Sequence, residues 1–218
     1  MPKSKTAAGM DAIQSVVAAY LKTLGFRKSG RAFNREREDR MTQVVSFQMG
    51  QFPVGYYVIP GLRESLYGRF AVDLGVTLPC VRKDADKCEE KKFYQDYDCQ
   101  IRECLVRDEE ETAQSWWLIE QPYNRIGCEI AALLERKGIP FLDQFTSYRQ
   151  ALAYYCAHRY FPFQNEERSA LEAALVYRHC EDTEQYLSLM RKAKDCARGH
   201  KGFVEFVSSI EAQFGKDG

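Results

Sequence analysis

No apolar run in this chain approaches the ~20 residues that a membrane-spanning helix requires. The opening residues Met1-Pro2-Lys3-Ser4-Lys5-Thr6-Ala7-Ala8-Gly9 lack the apolar segment of a secretory signal. Both absences lead to the expectation of a cytoplasmic location without membrane insertion. The eight cysteines include no C-x-x-C pair, and a chain of 218 residues can bury a core without covalent staples. They are expected as reduced, mostly buried thiols rather than as a disulfide framework.

Histidine is scarce. His158, His179 and His200 are the only three, and all follow residue 157, so the earlier part of the chain has no imidazole base of its own. The phosphate loop G-x-x-x-x-G-K-[ST], the dinucleotide fingerprint G-x-G-x-x-G after a strand, the G-x-S-x-G elbow and H-E-x-x-H are all missing. Cys156-Ala157-His158, His179-Cys180 and Cys196 with His200 offer thiolate and imidazole donors, but at spacings that match no zinc knuckle. Helix packing and helix ends account for these residues more simply. No metal and no cofactor is expected.

Formal net charge is zero, which removes the global field that would draw the protein to nucleic acid. The charge is segregated, however. Residues 1–40 carry nine basic and four acidic side chains, while residues 80–112 carry seven and eleven. The basic start, with Lys22, Arg27, Lys28, Arg31, Arg35, Arg37 and Arg40 near Phe26 and Phe33, has the composition of a weak nucleic-acid footprint. The acid-rich middle argues against that use. Hydrophobic residues make up 45% of the chain, with 13 Phe and 13 Tyr, enough large side chains for an ordinary globular core.

Met10, Ile13, Val16, Val17, Tyr20, Leu21 and Leu24 recur at helical spacing, which predicts a helix over about 10–24 that Gly25 stops. Ala32–Arg37, a charged turn at Glu38-Asp39-Arg40, and Met41–Met49 read as a β-hairpin. Tyr56–Ile59, among Pro and Gly residues, is expected as a short edge strand. Phe70, Val72, Leu74 and Val76 alternate with Arg69, Ala71, Asp73 and Gly75, predicting a strand over 69–76. Further strands are expected at Gln100–Val106 and Trp116–Ile119, and then the period changes. A helix marked by Ile126, Ile130, Leu133 and Leu134 should stop at Gly138, with Pro140 preventing its return. Helices follow near 147–160, 166–180 and 183–197, and finally one with Phe203, Phe206, Val207, Ile210 and Phe214 on one face. Asn165 and Asp182 suit N-caps. Strands before helices, joined by turns, imply an α+β fold with an antiparallel sheet packed by helices and followed by a C-terminal helical subdomain. The expected division is a flexible arm over 1–9, an α+β domain over 10–160 and a helical extension over 161–218.

The helix ending in Leu24-Gly25-Phe26, the Phe33 strand, Val45-Ser46-Phe47-Gln48 and Val72-Asp73-Leu74-Gly75-Val76 together resemble domain-of-unknown-function family 4304, a bacterial group. Arg102 in a strand, the Trp116-Trp117 pair and Gly138-Ile139-Pro140-Phe141-Leu142 after a helix agree with it. The resemblance spans about residues 10–155, and its motifs are mostly apolar positions and turn glycines. Where the pattern has Asn before Leu-Gly-Val, this chain has Asp73. The family type implies, by analogy, an immunity protein that protects a cell by binding a toxin.

Two sets of residues are candidates for function. The acidic run Asp108, Glu109, Glu110 and Glu111 could mimic phosphate in a basic cleft of a protein partner, with Tyr56, Tyr57, Trp116 and Trp117 as aromatic anchors. Gln48, Asp73 and Arg102 lie on polar strand faces, where they could bind a small molecule or perform acid–base chemistry. The first set leads to a non-enzymatic protein-binding module that neutralises a toxin. The second leads to a small-molecule-binding or hydrolytic enzyme.

Overall fold

The structure is a computed structural model that describes residues 4–50, 66–107 and 115–214. The edge strand expected at Tyr56–Ile59 and the acidic run Asp108–Glu111 lie outside those residues. Helix α1 (Lys5–Thr23) is followed by β1 (Arg27–Ser29), β2 (Ala32–Glu36), β3 (Thr42–Met49) and β4 (Arg69–Val76). Then come α2 (Pro79–Asp84), β5 (Ile101–Cys104), β6 (Trp117–Leu118) and α3 (Tyr123–Leu133). The remaining helices are α4 (Ile139–Leu142), α5 (Tyr148–His158), α6 (Glu166–His179), α7 (Thr183–Cys196) and α8 (Lys201–Phe214).

The strands form one antiparallel sheet in the order β1-β2-β3-β4-β5, with β6 also paired to β4. Two bonds fix the β3/β4 register: Gly50 donates its N–H to the Arg69 carbonyl at 2.8 Å, and Thr77 donates to that of Thr42 at 2.9 Å. The α+β class expected from the sequence is therefore the one observed. The described chain divides into two compact units. The first comprises Met1–Arg35, Val44–Leu74 and Glu103–Asp143, and the second Glu36–Gln43, Gly75–Arg102 and Gln144–Gly218.

In the first unit, Met10, Ile13, Val17 and Leu21 form the buried stripe of α1. Gly25 ends this helix at φ +86°. Its N–H bonds the Lys22 carbonyl, and the Phe26 N–H bonds that of Leu21, both at 3.1 Å, the paired bonds of a glycine-terminated helix. Gly25→Ala should cost about 1 kcal/mol, because a Cβ is unfavourable in the left-handed region. Chemical denaturation should show this as a lower midpoint with an unchanged slope. Arg35 reinforces the stop by donating to the Leu24 carbonyl at 3.3 Å and to Asp143 Oδ1 at 2.6 Å.

Gly138 does not end a helix. It keeps helical angles inside a π-turn (Leu134–Gly138), and the chain continues into α4 with Pro140 in its first turn. The Ile139 N–H reaches back five residues to the Leu134 carbonyl. This resets the ladder just before Pro140, where a missing N–H is harmless. Gly138 serves packing instead: a Cβ there would lie 2.8 Å from Leu134 Cδ2 and 3.5 Å from Leu74 Cδ1. An aromatic ladder crosses the sheet in this unit. Phe33, Phe47, Phe70 and Trp117 come from β2, β3, β4 and β6, and successive centroids are each 5.9 Å apart.

In the second unit Ser147, Asn165 and Asp182 cap α5, α6 and α7, each side chain accepting the N–H three residues on. Buried inside is a charged network. Glu172 of α6, 1% exposed, receives Arg168 Nε at 2.7 Å and Gln164 Nε2 at 2.8 Å. Asp86 accepts Arg168 Nη2 at 2.6 Å and Gln100 Nε2 at 2.9 Å. Burial pushes the Glu172 carboxyl up to about 7, against the downward pull of Arg168. All eight cysteines are free thiols, but only Cys80 and Cys99 are buried, with Cys104 intermediate. The expectation of mostly buried thiols therefore fails. Cys128, Cys156, Cys180 and Cys196 occupy exposed positions on or at the ends of helices, and Cys88 lies in an exposed connection.

Candidate functional site

In the first unit a cleft of about 450 Å3 is lined by the start of β4, by β6 and by the first turns of α3. Arg107 organises one wall. Its main-chain N–H donates to Ser115 Oγ at 2.9 Å, and its Nη2 donates to the Trp116 carbonyl at 3.1 Å. The guanidinium lies over the Trp117 ring at 4.9 Å, with Nε 3.2 Å from Glu129 Oε1. Glu129 also accepts Trp117 Nε1 at 3.0 Å. Arg107 is thus held by an ion pair and by cation–π attraction, the kind of support that keeps a long side chain in one geometry.

Around this fixed centre stand groups that remain accessible. Trp116 is half-buried, while Leu118, Glu120 and Arg125 are exposed. Arg125 has no ion pair among the described residues. Pro122, after a cis peptide bond, is the N-cap residue of α3 and brings Arg125 and Ile126 to the cleft. Among the described residues the lining contains three guanidinium groups and two carboxylates, with no imidazole, thiol or hydroxyl nucleophile. Such a lining offers stacking and charge-assisted hydrogen bonding.

Of the expected partner-binding residues, Trp116 and Trp117 both line this cleft, Trp117 as the buried end of the aromatic ladder. Tyr56, Tyr57, Asp108, Glu109, Glu110 and Glu111 lie outside the described residues. Gln48 is exposed on β3. Asp73 is buried and accepts the Cys104 thiol at 3.3 Å. Neither lines the cleft. Arg102 belongs to the second unit, where its guanidinium is 3.4 Å from Asp96 and 6.0 Å from the centre of the Phe163 ring.

Arg69, Arg107, Arg125 and Glu129 went unmarked in the sequence. Arg125 and Glu129 do stand four apart on α3, the spacing that places two side chains on one helix face. That signal was available.

Fold and cleft together define an α+β protein with an antiparallel sheet, C-terminal helices and a tryptophan- and arginine-lined cleft. Residues 17–144 match the family Domain of unknown function (DUF4304). The match covers more than half of the chain, which belongs to this family; α5 to α8 lie beyond the matched residues. No curated protein and no solved structure matches the chain.

Proposed function

We propose that this protein acts without catalysis, by binding a protein partner through the Trp116 cleft. The observation that carries this reading is the combination of a partly buried Trp116 with exposed Leu118 and Arg125 beside the anchored Arg107. Tryptophan and arginine are the residues most enriched among interface hot spots, and a preorganised arginine loses less entropy on binding. The acidic run Asp108–Glu111 adds charge of the opposite sign and would accelerate association with a basic surface.

Within this reading the partner is a bacterial toxin whose active site is blocked sterically and electrostatically, as the family type implies by analogy. Co-expression with the product of the adjacent upstream reading frame tests it. The chain should rescue cells from that product's toxicity and co-purify with it. Absence of both rescue and complex would sink the proposal.

A further inference from the structure

The second unit contains a larger cleft of about 800 Å3 beside α2, a size suited to a small organic molecule. The buried residues of its lining are Cys80, Arg82, Tyr94 and Tyr148. Each is held by the protein itself. The Cys80 N–H donates to the Tyr148 hydroxyl at 2.9 Å, and the exposed His179 ring meets Tyr148 edge-on with centroids 5.0 Å apart. Arg82 lies over the Tyr94 ring at 5.1 Å and donates to the Asp98 carbonyl at 2.8 Å. Burial pushes the Cys80 thiol up to about 12, so the sulfur brings no charge to the cleft.

The lining charges cancel. Arg40 holds Glu90 at 2.6 Å, Arg178 faces Asp84 at 3.8 Å, and Arg82 faces Asp98, also at 3.8 Å. Lys87 Nζ engages only neutral acceptors, the Asp84 main-chain oxygen at 2.6 Å and Gln213 Oε1 at 2.5 Å. Asp39 Oδ2 likewise accepts from a neutral donor, the Tyr148 N–H at 2.7 Å. Lys83 and Glu89 are exposed and have no ion pair among the described residues. Two ammonium groups therefore answer two carboxylates, and no net field draws an ion of either sign into the cleft.

We propose that this cleft is a binding site for a small aromatic molecule without net charge, its ring lodged among Tyr94, Tyr148 and His179. Burial of the ring supplies the attraction. A charged relative of the same shape gains nothing, because entering the cleft costs it solvation that a balanced lining does not return. The site is independent of the Trp116 cleft and of any protein partner.

N-phenylnaphthylamine, an uncharged aromatic molecule that fluoresces on burial, is the probe. Titrated into the full chain it should occupy one site. Anilinonaphthalene sulfonate, the same ring system with an anionic group, should bind no more tightly at low or high salt. Alkylation of the wild-type thiols, followed by peptide mass spectrometry, locates the site. Cys88 is exposed on the cleft lining, and Cys128 is exposed in the first unit. Probe at about ten times its Kd should slow alkylation of Cys88 about tenfold, since only the free fraction reacts, and leave Cys128 unchanged. Cys88→Trp should fill the cleft and abolish binding, with thermal unfolding verifying that the variant is folded. No binding of the uncharged probe, several equivalent weak sites, tighter binding of the sulfonate, or an unprotected Cys88 at saturation would each overturn the assignment.

Discussion

Glu172→Ala should destabilise the protein by about 3–5 kcal/mol, the usual cost of removing one partner from a buried ion pair. The loss has two parts. Arg168 keeps Asp86 but loses its Nε acceptor, and Gln164 loses one of the two acceptors of its Nε2. Glu172→Gln retains an acceptor oxygen and should cost less. The carboxylate also makes stability depend on pH, with a definite sign. Its folded value of about 7 lies above the ordinary 4.5, so the folded state binds the extra proton between those values. The associated stability is fully present below pH 4.5 and is lost as pH rises through 7, for a total of about 3 kcal/mol. Other carboxylates titrate in the same range, so the test is a difference. Wild type should gain stability relative to Glu172→Gln as pH falls from 8 to 5, by several degrees in Tm. A pH-independent difference would contradict this account of Glu172.

Trp117→Ala should cost a similar amount, about 3–5 kcal/mol, and should also damage the Trp116 cleft. Trp117 is 1% exposed and stacks on Phe70 with rings inclined by 25°. Its removal opens a cavity at the end of the aromatic ladder. It also removes the ring beneath Arg107 and the Nε1 donor to Glu129, so the arginine loses one constraint directly and its ion-pair partner loses another. Trp117→Phe keeps much of the packing but not the donor. Its stability loss should be smaller, about 1–2 kcal/mol. Urea unfolding measures the first effect. Partner affinity of the still-folded Trp117→Phe variant measures the second, and should be lower than wild type.

Much of this architecture was legible in the sequence because it rests on local rules. Strict alternation over 69–76 marked β4, and Gly25 with Phe26 marked the end of α1. Asn165 and Asp182 marked the starts of α6 and α7. What escaped depends on contacts between distant residues. Strand β1 is three residues long with mostly exposed side chains, so it carries no alternation to detect. Helix α2 has no apolar period to detect because Arg82 and Lys83 interrupt it, yet Arg82 is buried over Tyr94 and paired with Asp98. Gly138 was misread because a glycine before proline signals a helix stop locally, whereas here it is needed for close packing. Glu172 did leave a trace: one acid within the apolar run Leu171–Val176, four residues after Arg168.

The cleft was only partly legible for the same reason. Trp116 stood out as half of a tryptophan pair, but Arg69, Arg107 and Arg125 come from a strand, a connection and a helix. No spacing rule brings those three together before the sheet has formed.

The most direct measurement is isothermal titration of the purified chain with the product of the adjacent upstream reading frame, using wild type and the double variant Trp116→Ala, Arg125→Glu. Loss of two hot-spot side chains should weaken the complex roughly hundredfold or more, with the fold intact by circular dichroism. A one-to-one complex with wild type and this loss in the variant is the predicted result. No binding by wild type, or equal binding by a folded double variant, would contradict recognition through the Trp116 cleft.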